Sequence, residues 1–152
     1  MNVVEVTEKN VREIVEFYKR CKADYFSAIN SDGSSFDALC EELMGYESGA
    51  ISYALVDKGK AYALFTCDKD SAELSNLCID HSAIDGNTCK KLLEFAIKQF
   101  SSITFVFTWV DSLDSRLAET IEDFGFEYTG EQDYIDKERF LSRFRYVYRR
   151  KK

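Results

Sequence analysis

Apolar runs in this chain of 152 residues are short. Even ITFVFTWV, among the longest, falls far below the roughly 18–20 residues that cross a bilayer, so no membrane partner is expected. The opening MNVVEVTEKN lacks the basic stretch and apolar core of a secretory signal, and a cytoplasmic location is expected. There is no C-x-x-C spacing. The five cysteines (Cys21, Cys40, Cys67, Cys78, Cys89) are odd in number and scattered, which disfavours metal and disulfide frameworks and points to reduced thiols. Positive charge is in deficit: 20 Lys and Arg against 27 Asp and Glu give −7, which disfavours a general nucleic-acid binder. Proline is absent altogether, and nothing functional follows from that.

What is present is a core. Hydrophobic residues make up 45% and aromatics 14%, enough to fold as one domain over residues 1–152. NVVEV reads as a strand. TEKNVREIVEFYKRC reads as a helix, with Thr7 as its N-cap and Val11, Ile14, Val15, Tyr18 and Cys21 on one face. KADYFSAINSDG ends in a turn at Ser31-Asp32-Gly33. SSFDALCEELMG reads as a second helix, capped by Ser34 or Ser35, striped by Phe36, Leu39, Cys40 and Leu43, and ended by Gly45. Two β-rich runs flank Asp57-Lys58-Gly59-Lys60, a hairpin signal, and a turn at Asp68–Ser71 leads to a third strand, AELSNLCI. A helix then runs to about Gln99, with Leu92, Leu93, Ala96 and Ile97 inward. ITFVFTWV suits a strand covered on both faces. DSLDSRLAETIEDFG is a helix with Leu113, Leu117, Ile121 and Phe124 inward. FEYTGE and RFRYVYRR are strands, joined by a long loop, QDYIDKERFLS. The basic residues of RFRYVYRRKK alternate with Phe144, Tyr146 and Tyr148, a pattern that suits either one wet strand face or contact with RNA.

The resulting order is β-α-α-β-β-β-α-β-α-β-β. It predicts an α/β fold with a single mixed, mostly antiparallel sheet and helices on both faces. The strand–helix–strand unit from Glu73 to Val110 should pair its strands in parallel, by a right-handed crossover.

The most informative stretch is IDGNTCKKLLEF, Ile84–Phe95, which joins a strand to a helix N-terminus. Backbone N–H groups and the helix dipole favour an anion at such a place. The element order, together with AELSNLCIDHSAIDGNTCKKLLEFAI and VDSLDSRLAETIEDFGFEYTGE, resembles the GNAT superfamily of acyl-CoA-dependent N-acyltransferases. Gly125-Phe126 followed by EYTGE is similar to the family's helix-to-strand ending. The resemblance implies acetyl-CoA as co-substrate. Its pantetheine arm would pair with the backbone of Leu77, Cys78 and Ile79. Its pyrophosphate would lie on Asp85, Gly86, Asn87, Thr88, Cys89 and Lys90.

Three departures accompany it. The family loop reads Gln or Arg, two residues, Gly, one residue, Gly or Ala. Aligned on Leu92-Leu93, this chain has Ile84, Asn87 and Cys89 at those positions. Asn87 tolerates a positive φ and Cys89 is small. Asp85, however, puts a carboxylate beside the phosphates, which Lys90 and Lys91 offset in part. The family's acidic tyrosine is Ile121 here, and its asparagine is Asp114. Glu73 stands near the place of the base used by some members. The catalytic expectation is therefore Glu73 as base and Cys78 at the thioester, through its backbone N–H or, less simply, its thiol. His81, the only histidine, is a second candidate base or a loop residue. Acceptor-side positions would include Tyr25, Phe26, Asp32, Tyr46, Asp133, Tyr134 and Asp136, whose acidic and aromatic character suits a cationic amine. Two readings follow: an N-acetyltransferase acting on a small-molecule or protein amine, with a homodimer left open, or the same fold as an inactive binding module.

Overall fold

The computed structural model describes residues 1–23, 36–45, 49–100 and 104–147. The turn at residues 31–33, the caps at 34 and 35, the expected acceptor residues Tyr25, Phe26, Asp32 and Tyr46, and the basic tail beyond residue 147 lie outside them.

The elements follow the expected order. They are β1 (Asn2–Glu5), α1 (Val11–Cys21), α2 (Phe36–Met44), β2 (Ile51–Asp57), β3 (Lys60–Asp68), β4 (Glu73–Ile79), α3 (Gly86–Lys98), β5 (Phe105–Asp111), α4 (Ser115–Phe124), β6 (Glu127–Tyr134) and β7 (Phe140–Val147). One seven-stranded sheet runs β1-β2-β3-β4-β5-β7-β6, with β4–β5 the parallel pair. The β2–β3 turn is built as its sequence asks. Lys58 and Gly59 have φ of 50° and 78°, the left-handed pair that lets a two-residue hairpin follow the strand twist.

Alternation along the strands sends apolar side chains to two cores. On one face Phe65, Leu74, Leu77 and Ile79 pack with Leu92, Leu93 and Ala96 of α3 and Leu117 and Ile121 of α4. On the other, Ala54, Leu64 and Cys78 pack with Ile14, Val15 and Tyr18 of α1 and Leu39 and Leu43 of α2. Each such buried Leu or Ile contributes about 1.5–3 kcal/mol relative to exposure, so the two cores fix which face each helix covers.

Several local expectations need correction. Helix α1 begins at Val11 with Asn10 as N-cap residue. Thr7 forms a turn before it, its hydroxyl accepting from the Lys9 N–H at 3.3 Å. Asn10 Oδ1 accepts from the Thr7 N–H at 2.8 Å and is spent there. Cys21 is exposed rather than part of the buried stripe. Leu113 precedes α4 and is 68% exposed. The β6–β7 connection is short, because both strands extend into the expected loop. Asp136 closes it by accepting from the N–H groups of Glu138 and Arg139, both at 2.8 Å. Gly45, which ends α2, was read correctly: its φ is 70°, and a Cβ there would lie 2.0 Å from the Ala50 carbonyl oxygen.

Candidate active site

Strand β4 is the centre of the site, and it is irregular. Against β3, Leu64 faces Cys78 while Thr66 faces Ser75, so β4 carries one extra residue. Asn76 takes it up with φ of 53°. The bulge shifts the side-chain phase, which is why Leu74 and Leu77, three apart, both reach the α3/α4 core. A chain of polar contacts fixes it. Tyr18 Oη donates to Asn76 Oδ1 at 2.9 Å, and Asn76 Nδ2 donates to Thr66 Oγ1 at 2.9 Å. Thr66 Oγ1 and Ser52 Oγ share a further hydrogen bond at 2.7 Å.

Beside the bulge the sheet parts. The parallel pair β4–β5 has one register position, Glu73 opposite Phe107, supported by the Phe107 N–H donating to the Ala72 carbonyl at 2.9 Å. Beyond it the two strands form no further ladder pairs, and residues of both line a small cavity on the α1 face.

On the α3/α4 face a cavity of about 640 Å³ lies between the two helices. Gly86, Cys89 and Lys90 of α3 line one side, and Arg116 and Thr120 of α4 the other, with His81 between. His81 Nε2 lies 3.1 Å from Thr120 Oγ1. Burial, and then the Arg116 cation, lower its pKa, so the imidazole is neutral at pH 7. Asp85 is the N-cap of α3: its Oδ1 accepts from the Thr88 N–H at 2.7 Å. That bond, helped by the Thr88 side chain, holds its carboxyl below the usual range. The helix N-terminus thus already has a carboxylate on it. Asp114 caps α4 in the same way, accepting from the Leu117 N–H at 3.2 Å, and Ile121 is fully buried.

On the α1 face a smaller cavity of about 140 Å³ is lined by Tyr18 of α1 and Lys22 just after it, Glu73, Asn76 and Leu77 of β4, and Trp109 and Asp111 of β5. Its carboxylates are matched by arginines. Arg139 Nε donates to both oxygens of Asp111, at 3.0 and 3.1 Å, and its Nη2 completes a two-pronged pair. Burial alone would raise the Asp111 carboxyl, but the Arg139 and Leu113 hydrogen bonds outweigh it and hold the pKa below the ordinary value. Arg143 Nη2 stands 3.9 Å from Glu73 Oε1, and its guanidinium lies over Phe107 at 4.0 Å from the ring centre.

The expected site residues therefore separate. Gly86, Cys89 and Lys90 share the larger cavity, with Asp85, Asn87 and Thr88 in the turn and first helical turn at its edge. Glu73 and Leu77 belong to the smaller one, and Ile79 ends β4 beside His81 in a groove toward α1. The Cys78 side chain is in neither: it is buried under α1, and burial, then its contact with Cys21, pushes its thiol well above the ordinary value. Tyr18, Lys22, Asn76, Trp109, Asp111 and Arg116 escaped the sequence reading. The uneven spacing of Leu74 and Leu77 was the one signal for the bulge. Among the described residues no three metal-ligating side chains gather, and no helix is long and apolar enough to cross a membrane.

A pantetheine arm fits the observed divergence of β4 from β5, which leaves strand backbone without a neighbouring strand. The α3 terminus fits a diphosphate less well, because Asp85 already takes the Thr88 N–H.

No protein-family model and no curated protein matches the sequence. Solved structures do match in fold. An aminoglycoside 6'-acetyltransferase type Ii superposes with a TM-score of 0.76 at 16% identity, over 97% of each chain. A spermidine N-acetyltransferase chimera from Vibrio cholerae gives 0.70 at 14%, over 97% of this chain and 96% of its own. An acetyltransferase of the GNAT family from Streptococcus pneumoniae gives 0.64 at 15%, over 96% and 98%. This chain shares the GNAT fold of these acetyltransferases, one mixed seven-stranded sheet with helices on both faces.

Proposed function

We propose that the protein is an N-acyltransferase that uses acetyl-CoA and a primary amine. The observation that carries this reading is the loss of pairing between β4 and β5 beyond Glu73, in a sheet of acetyltransferase topology with a large cavity between α3 and α4 and a small one lined by both strands. Acetyl-CoA, when bound, supplies the activated acyl group. The chain's own contribution is positional. The β4 backbone at Leu77–Ile79 receives the arm, and the N–H of Cys78 or Ile79 polarises the acyl carbonyl. The small cavity holds the amine against it, so proximity supplies much of the acceleration. Glu73 accepts the amine proton through water. Lys90 and Arg116 face the phosphates from the two helices, since the α3 terminus is partly taken.

Thermal melting tests the reading. Ligand at about 100 times its Kd adds about 2.7 kcal/mol, or about 5–11 °C for a chain of this size. Millimolar acetyl-CoA should raise Tm by that order, and an amine should then release free thiol. Absence of any shift on folded protein would leave the second reading, a binding module. The carboxylate cap of Asp85 and the burial of Ile121 favour that alternative.

A further inference from the structure

We infer that the small cavity on the α1 face selects an acceptor that carries a carboxylate as well as its amine, a small zwitterion rather than a polyamine. The inference rests on the transferase reading for the word acceptor, but the cavity's selectivity stands on its own residues.

Three observations converge. First, both carboxylates lining the cavity are neutralised in place: Asp111 by the two-pronged Arg139, and Glu73 by Arg143 at 3.9 Å. Arg143 also reaches the exposed Glu131 at 3.3 Å, so two arginines meet three carboxylates and Lys22 supplies the remaining positive charge. A polycation would have to break these pairs, one of which is nearly dry, with side-chain exposures of 11% and 7%. Second, Lys22 lines the same cavity and forms no ion pair among the described residues; its charge is felt by Asp111 at longer range. An ammonium with no ion pair among the described residues, on a wall where Asp111 is already held by Arg139, is a receptor for an anion. Third, the cavity is the smaller of the two, about 140 Å³ against about 640 Å³ between α3 and α4, and suits a small acceptor. In the bound arrangement the carboxylate faces Lys22, and the amine points past Trp109 toward the unpaired stretch of β4 and β5.

Trp109 is the only tryptophan and lines the cavity, so its fluorescence reports on occupancy directly. Three probes of matched length separate the charges: 4-aminobutyrate, putrescine and butylamine, titrated without acetyl-CoA. Wild-type protein should bind 4-aminobutyrate at least about tenfold tighter than the other two, a ratio worth about 1.4 kcal/mol. K22M should erase the difference, and K22E should reverse it in favour of putrescine. The inference is overturned if putrescine binds wild type as tightly as 4-aminobutyrate, if none of the three binds, or if K22E, shown folded by its melting curve, keeps the wild-type order. Binding of 4-aminobutyrate with no acetyl-CoA melting shift would sink the transferase reading alone. An acetyl-CoA shift with the wrong probe order would sink this inference alone.

Discussion

Replacing Arg139 by Met would strand the Asp111 carboxylate. Arg139 and Asp111 are 11% and 7% exposed, and three donor contacts join them. Removing one partner of a buried pair costs about 3–5 kcal/mol, because the remaining charge stays desolvated. The arginine end reaches the rim, so the lower figure, about 3 kcal/mol, applies. For a chain of this length each kcal/mol moves Tm by about 2–4 °C, giving an expected fall of about 6–12 °C for R139M. The double variant D111N/R139M should recover most of it: no charge is then buried, and the amide oxygen still accepts from the Leu113 N–H. The pH response gives an independent check. In the wild type the Asp111 carboxyl sits below its ordinary value, so its contribution is present at neutral pH and is lost as pH falls below about 4. In R139M burial, the largest influence on this carboxyl, is opposed only by the Leu113 N–H and the charge of Lys22, so the carboxyl rises from its wild-type position and the loss of stability on acidification shrinks. Calorimetric melts of the three proteins from pH 7 down to about 4 decide the matter. A fall of less than about 2 °C in R139M, or a double variant no better than the single, would refute the reasoning.

Other predictions follow from the same geometry. E73Q should lower kcat/KM by about a hundredfold or more while leaving the acetyl-CoA melting shift intact; a loss under about threefold would remove Glu73 as base. N76G keeps the left-handed backbone but loses hydrogen bonds to Tyr18 and Thr66, about 1 kcal/mol each. N76V adds about 1–2 kcal/mol of backbone strain, so melting should rank wild type, N76G, N76V; equal values for the two variants would mean that φ at Asn76 is unstrained. D85A removes the α3 cap and also the charge facing the phosphates. Its Tm should fall while its acetyl-CoA titration tightens by a few-fold, and a weaker titration would show that Asp85 helps rather than hinders.

The element order was legible because each signal is local. The Lys58-Gly59 turn, the Leu92/Leu93/Ala96/Ile97 stripe and the Gly45 stop each follow from a few neighbouring residues. The site was less legible because it depends on pairs distant in sequence. Nothing in the chain announces that Arg139 meets Asp111, 28 positions earlier, or that Tyr18 reaches Asn76 across 58. The Asp-Gly-Asn-Thr turn was read as a phosphate cradle, yet the same four residues spell an N-cap, and in the fold the carboxylate takes that part. The acidic and aromatic residues expected on the acceptor side suggested a cation, but Asp133, Tyr134 and Asp136 do not line the small cavity; its carboxylates are Glu73 and Asp111, which lie beside arginines brought by β7 and its turn.

The lone rung at Glu73 and Phe107 has a mechanical meaning. The sheet is two panels, four strands and three, stitched at one point along their shared border. Elsewhere the panels are joined through side chains of α3 and α4 rather than through the backbone ladder. A molecule lying in that border touches both panels at once and acts as a rivet, so stiffness across the seam should rise with occupancy and slackness should be the resting condition of the empty chain.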